Sequence, residues 1–111
     1  TYGTQTGSYT KVGNLVTVIG ELRAKRNTLS GNVEITGLPF TESGSGAGLS
    51  VNFASAFATD MPNLKGYTTS TKIVLRKNAT NSASGTPVAN TDLANAATTD
   101  NYFYFSVTYL T

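Results

Sequence analysis

The 111-residue chain contains neither cysteine nor histidine, and each absence removes chemistry. Without Cys there is no disulfide framework and no thiol nucleophile; without His the commonest general base and zinc ligand is gone. Ser-His-Asp, Cys-His and His-based metal chemistry are thereby excluded. Acids are scarce too: Glu21, Glu34, Glu42, Asp60, Asp92 and Asp100 are all there are. Against 8 basic residues they leave a net charge of +2, spread along the chain, which gives no argument for nucleic acid. No apolar run approaches the roughly 20 residues that a membrane helix needs, so membrane insertion is not expected. The lack of Cys fits folding in a reducing cytoplasm.

What fills the chain instead is Thr, Ser, Asn and 11 Gly, around a hydrophobic fraction of 39% and a charged fraction of 13%. That composition favours sheet and turns over helix. The length is that of one domain and no shift in composition marks a boundary, so residues 1–111 read as a single unit. The chain opens without Met in a polar stretch, Thr1 to Ser8, read as irregular; this leads us to expect an excised piece of a longer polypeptide.

The clearest period runs from Asn14 to Lys25. Val16, Val18, Leu22 and Ala24, with Gly20, alternate with Thr17, Glu21, Arg23 and Lys25, the pattern of a half-buried strand. Ile19 breaks the pattern, an apolar side chain on the polar face, and becomes a contact candidate. Leu29 to Leu38 repeats the alternation with Val33 and Ile35 inward and Asn32, Glu34 and Thr36 outward. It stops at Gly37-Leu38-Pro39-Phe40, where Pro39 cannot donate to a ladder. Thr41 to Gly48 reads as a loop, because closely spaced glycines are costly to order. Leu49, Val51 and Phe53 then alternate with Ser50, Asn52 and Ala54 in a third strand running to about Phe57. Tyr67 to Lys77 is rich in β-branched residues and holds at least one strand with a basic outer face. Ala79 to Asp100 is polar and admits a single helical turn or a short edge strand. Finally, Asn101 to Leu110 puts Phe103, Phe105, Val107 and Tyr109 on one face and Tyr102, Tyr104, Ser106, Thr108 and Leu110 on the other. Six or so strands parted by Gly, Pro and Asn turns specify an all-β fold, an antiparallel β-sandwich of jelly-roll-like kind.

Chemistry has few places to sit on such a frame. Two carboxylates suffice for glycoside hydrolysis, and Glu21 and Glu34, on outer strand faces, are the pair to weigh. Outward carboxylates on a solvated sheet serve solubility far more often than catalysis, so no catalytic residue is assigned. Asp92 and Asp100 are single acids in an Asn- and Thr-rich loop, short of a calcium site, and no metal or cofactor is expected. Gly44, Gly46 and Gly48 lead into a strand, whereas a phosphate loop leads into a helix. Arg23, Lys25 and Arg26, with Lys72, Arg76 and Lys77, fit a solvated rim that resists edge pairing better than an anion-binding patch. Asn78-Ala79-Thr80 fits a glycosylation sequon, a triplet frequent by chance.

The last strand is the informative anomaly. Its two aromatic rows point to opposite faces, so Tyr102 and Tyr104 cannot share a core layer with Phe103 and Phe105. Three coverings are open: a loop of the same chain, a subunit interface, or a sugar stacked on the rings.

The run Gly7-Ser8-Tyr9-Thr10-Lys11-Val12-Gly13-Asn14-Leu15-Val16-Thr17-Val18, followed by Ser30-Gly31-Asn32-Val33-Glu34-Ile35-Thr36-Gly37-Leu38-Pro39-Phe40, resembles a pattern near the C-terminus of tailed-bacteriophage tail fibers and tailspikes. In words of sequence the pattern is G-x-Y-T-K-x-G-N-x-V, then S-G-x-x-x-I-T-G-L-P-F. The resemblance covers about the first 40 residues, with looser agreement in the aromatic last strand. It implies a β-sandwich at the end of a homotrimeric fiber or spike, without catalysis of its own, since any depolymerase activity would lie upstream. It also implies a place in the virion, on the phage tail, after synthesis in the host cytoplasm, and a role in trimer assembly or host-surface attachment. On that reading the trimer-interface candidates are Ile19, Tyr102, Tyr104 and Leu110. The alternative is a carbohydrate-binding module for bacterial surface polysaccharide, with Tyr67, Tyr102 and Tyr104 as contact candidates.

Overall fold

A computed structural model describes residues 2–44, 46–78, 85–95 and 101–111. Among the described residues it is nearly all-β, with eight strands in two antiparallel sheets, an arrangement compatible with a β-sandwich. The strands are β1 (Tyr2–Val12), β2 (Leu15–Ala24), β3 (Glu34–Thr36), β4 (Leu49–Ser55), β5 (Lys65–Thr69), β6 (Lys72–Lys77), β7 (Thr86–Pro87) and β8 (Tyr102–Leu110). The first sheet runs β1-β2-β8-β4; the second runs β3-β6-β5, with β7 also paired to β6. The last strand therefore lies between two strands from the first half of the chain.

Alternation explains the core. Val16 and Val18 of β2 and Phe103, Phe105, Val107 and Tyr109 of β8 pack with Leu38, Ile73, Leu75 and Val88 in one buried cluster between the sheets. Gly20 falls on this inner face because it stands opposite Phe105, and a Cβ there would lie 2.4 Å from the tip of the Phe105 ring. The glycine makes room for the ring. Tyr109 is buried with its hydroxyl satisfied: it donates to the Phe40 carbonyl at 2.9 Å and accepts from the Phe40 N–H at 3.3 Å. The segment that leaves β3 is thereby tied to β8, after a turn at Gly37 with φ +90° that a side chain would strain.

Several sequence expectations need correction. Thr1 to Ser8 reads as irregular, yet the chain from Tyr2 is strand β1, paired with β2 from Tyr2 opposite Ala24 to Val12 opposite Leu15, with a register shift between Tyr2 and Thr4. Leu29 to Leu38 contributes only three strand residues. Tyr67 to Lys77 belongs to a hairpin, β5 and β6, joined at Ser70 and Thr71, with Ser70 in the left-handed region at φ +56°. The expected third strand ends at Ser55, and it carries a bulge between Val51 and Phe53. Of the polar stretch from Ala79 to Asp100, β7 and a 3-10 turn at Asn90–Asp92 realise both alternatives, while residues 79–84 and 96–100 lie outside the described residues.

Candidate functional site

The register of the first sheet builds its outer face row by row. Leu15 stands opposite Leu110, Thr17 opposite Thr108, Ile19 opposite Ser106 and Glu21 opposite Tyr104. Paired residues of neighbouring strands point the same way, so these side chains share one face, opposite the core. Thr17 and Thr108 share a hydroxyl hydrogen bond at 3.1 Å. Ile19 is 56% exposed and Leu110 51%, so the sequence reading of both as surface apolar groups holds.

The bulge in β4 adds a residue that alternation places elsewhere. Val51 faces Phe105 in the core, and regular pleating would send Phe53 the same way; instead the extra residue turns Phe53 outward, opposite Tyr104. Phe53 is 49% exposed and meets Tyr102 edge-on with centroids 5.3 Å apart, and Tyr104 at 6.3 Å. Tyr102 and Tyr104 are themselves 4.8 Å apart in a T-shaped pair. Three rings thus form a corner on the outer face, and the sequence contains no signal for the third.

Charge frames that corner. The Arg23 guanidinium stacks over Tyr102 at 3.7 Å and its Nε lies 3.3 Å from a Glu21 carboxylate oxygen. The Tyr104 hydroxyl is held above the ordinary phenol range, first by its hydrogen bond with Tyr102, then by desolvation and the Glu21 charge. Half-buried Tyr102 and Tyr104 pack against one another, Phe53 and Arg23.

Other sequence candidates are dispersed. Tyr67 is 42% exposed but belongs to β5, in the second sheet, where it pairs with Val74. It shares no strand or sheet with Tyr102 and Tyr104. Glu21 and Glu34 also sit in different sheets, Glu21 ion-paired with Arg23 at 3.3 Å and Glu34 with Lys72 at 2.7 Å. Lys77 points inward to Asp92 and leaves the proposed basic rim. Asp92 is buried, accepting from Lys77 at 2.5 Å, Thr59 at 2.6 Å and the Ala89 N–H at 2.9 Å. Burial by itself would raise its carboxyl, but these hydrogen bonds and the lysine charge together hold it below the usual carboxylate range. Asp100 lies outside the described residues, and among the described ones no three acids gather. The glycine loop is closed by an acid: the Gly46 N–H donates to Glu42 at 2.9 Å, the opposite of a phosphate cradle. Asn78 of the sequon is buried.

The two halves of the sequence motif meet in space. Tyr9 packs edge-on against Phe40 at 5.5 Å and Lys11 lies over the same ring at 5.4 Å. Tyr9 and Lys11 of β1 and Phe40 after β3 thus form one packing unit. Comparison of the chain with protein-family models, curated proteins and solved structures finds no match.

Proposed function

We propose that this chain is a non-catalytic assembly and attachment domain, whose self-association surface is the outer face of the first sheet. The observation that carries the reading is the concentration of exposed apolar side chains on that face, with Ile19, Leu15, Leu110 and Phe53 each close to half exposed or more, around Tyr102 and Tyr104. Exposed Leu or Ile singly needs no explanation, but a set in one register on one sheet is the composition of an interface core. Edge strand β1 supports it too, since its 11 residues pair with β2 on one side only and its described side chains are exposed. The motif resemblance, whose halves form one packing unit, points to a homotrimeric tailspike or tail fiber of a tailed bacteriophage, with jelly-roll-like connectivity and a place in the virion. Light scattering at several concentrations tests this. The wild-type chain is expected at three times the chain mass, and Tyr102→Ser with Tyr104→Ser at one, with the β spectrum retained. A wild-type monomer, or a double variant that stays trimeric, overturns the assignment.

A second reading, binding of bacterial surface polysaccharide, has one observation in its favour: the three rings stand beside Arg23 and Glu21, which could hydrogen-bond sugar hydroxyls. Sugar stacking needs a free ring face, and the face of Tyr102 already holds Arg23. Phe53 is therefore the ring to test, and Phe53→Ala is expected to abolish heat release with capsular or lipopolysaccharide fragments if this reading holds.

A further inference from the structure

Between the sheets, away from the outer face, lies a cavity of about 310 Å³. It is a cleft open to solvent on one side rather than a sealed void, and its volume is that of a small-ligand site rather than of a packing gap. Its walls include Leu22 and Phe103 of the first sheet, Val33 and Ile35 around β3, and Met61 and Leu64 before β5. Apolar walls offer water few partners, and the volume stands at the lower bound of small-molecule pockets, about 300–1,000 Å³.

Cations outnumber acids along the lining. Lys25, Arg26 and Glu34 line the cavity, but Glu34 is held by Lys72 at 2.7 Å. Among the described residues neither Lys25 nor Arg26 has a carboxylate within ion-pair distance. The backbone that carries both cations is fixed. The Arg26 N–H donates to the Ala94 carbonyl at 2.9 Å and the Asn27 N–H to the Asn95 side chain at 2.6 Å. Buried Asn101, with φ +57°, clasps the same place by donating to the Ala24 and Ala94 carbonyls at 2.7 and 2.8 Å. A pre-formed apolar hollow with two cations at a braced rim has the charge and shape complement of an amphipathic anion.

We propose that this cavity binds a small amphipathic monoanion, a carboxylate with an apolar body, whose chain lies between the sheets and whose head meets Lys25 and Arg26. The site is independent of the outer face and of the assembly reading. The test is titration of the full chain with octanoate, octanol and octylammonium, read by the methyl resonances of Met61, Leu22 and Leu64, with Ile19 and Leu110 as outer-face controls. Octanoate is expected to shift the cavity methyls saturably and to bind about tenfold tighter than octanol, the scale of a charge-assisted contact, with octylammonium weaker still. Lys25→Gln with Arg26→Gln is expected to bring octanoate to the level of octanol while leaving octanol unchanged. Absence of saturable shifts with octanoate, shifts at the control methyls only, or equal affinity for all three probes overturns the proposal.

Discussion

On one side of β8, Phe103, Phe105, Val107 and Tyr109 are 4% exposed or less; on the other, Tyr102 and Tyr104 are half-buried and Leu110 is 51% exposed. One strand thus presents two apolar faces with different surroundings. The inner face is closed by the second sheet, with Phe103 stacked on Phe105 at 5.5 Å and Tyr109 bonded to Phe40. The outer face is organised only within itself, by rings, Arg23 and a threonine pair. Inner residues thus carry the core, and outer residues leave apolar surface exposed.

The comparison breaks most sharply at Phe105. Phe105→Ala removes a buried ring from the core cluster and is expected to cost about 3–5 kcal/mol, measured as the shift in urea unfolding midpoint. A loss below about 1 kcal/mol would mean that the inner face is no more fixed than the outer one.

Next comes the ion pair that fastens the 3-10 turn. Asp92→Asn weakens the charge-assisted bonds from Lys77 and Thr59 and is expected to cost about 1.5–3 kcal/mol at neutral pH. The pH dependence has a defined sign. The folded carboxyl titrates below its unfolded value of about 3.9, so its contribution is fully present above that pH and is lost as pH falls through the folded value. Unfolding midpoints between pH 6 and 2 are expected to drop more steeply in wild type than in Asp92→Asn, and parallel curves would remove Asp92 from the account.

Gly20→Ala sharpens the inner-face claim from the opposite direction, by adding an atom. The new Cβ meets the Phe105 ring, itself held against Phe103, and overpacking of this kind costs about 1–3 kcal/mol. Phe105→Ala is expected to relieve it, so the double variant should be more stable than the sum of the two singles predicts.

How far the sequence discloses this division depends on what each segment needs from its neighbours. The alternation in β2 and β8 assigns Val16, Val18, Phe103 and Phe105 inward and Ile19, Tyr102 and Tyr104 outward, because one face of each strand is apolar enough to carry a period of two. β1 carries no such signal: Gln5, Gly7, Tyr9 and Lys11 alternate with Thr6, Ser8 and Thr10, polar against polar, and pairing with β2 makes it a strand. Phe53 is the instructive failure, since a one-residue bulge inverts its face and leaves no mark on composition or spacing. The cavity was equally hidden, being a gap between segments far apart in sequence.

Ile19→Lys carries the smallest expected effect on the fold and the cleanest test of the outer face. Ile19 stands between Ser8 on β1 and Ser106 on β8, so neither neighbouring strand offers it an apolar partner at its own register position. Being 56% exposed, it gains little from folding of the single chain, and the substitution is expected to move the unfolding free energy by less than about 0.5 kcal/mol at low concentration. In an assembly that covers this face the same lysine must be desolvated, and the concentration for half-dissociation should rise by about tenfold or more. The two readouts separate what the Tyr102 and Tyr104 substitutions mix, because those rings also pack on each other and on Phe53. A large loss of stability in the dilute chain would make the outer face part of the fold; unchanged mass and unchanged stability together would leave that face bare and move the interface to β1.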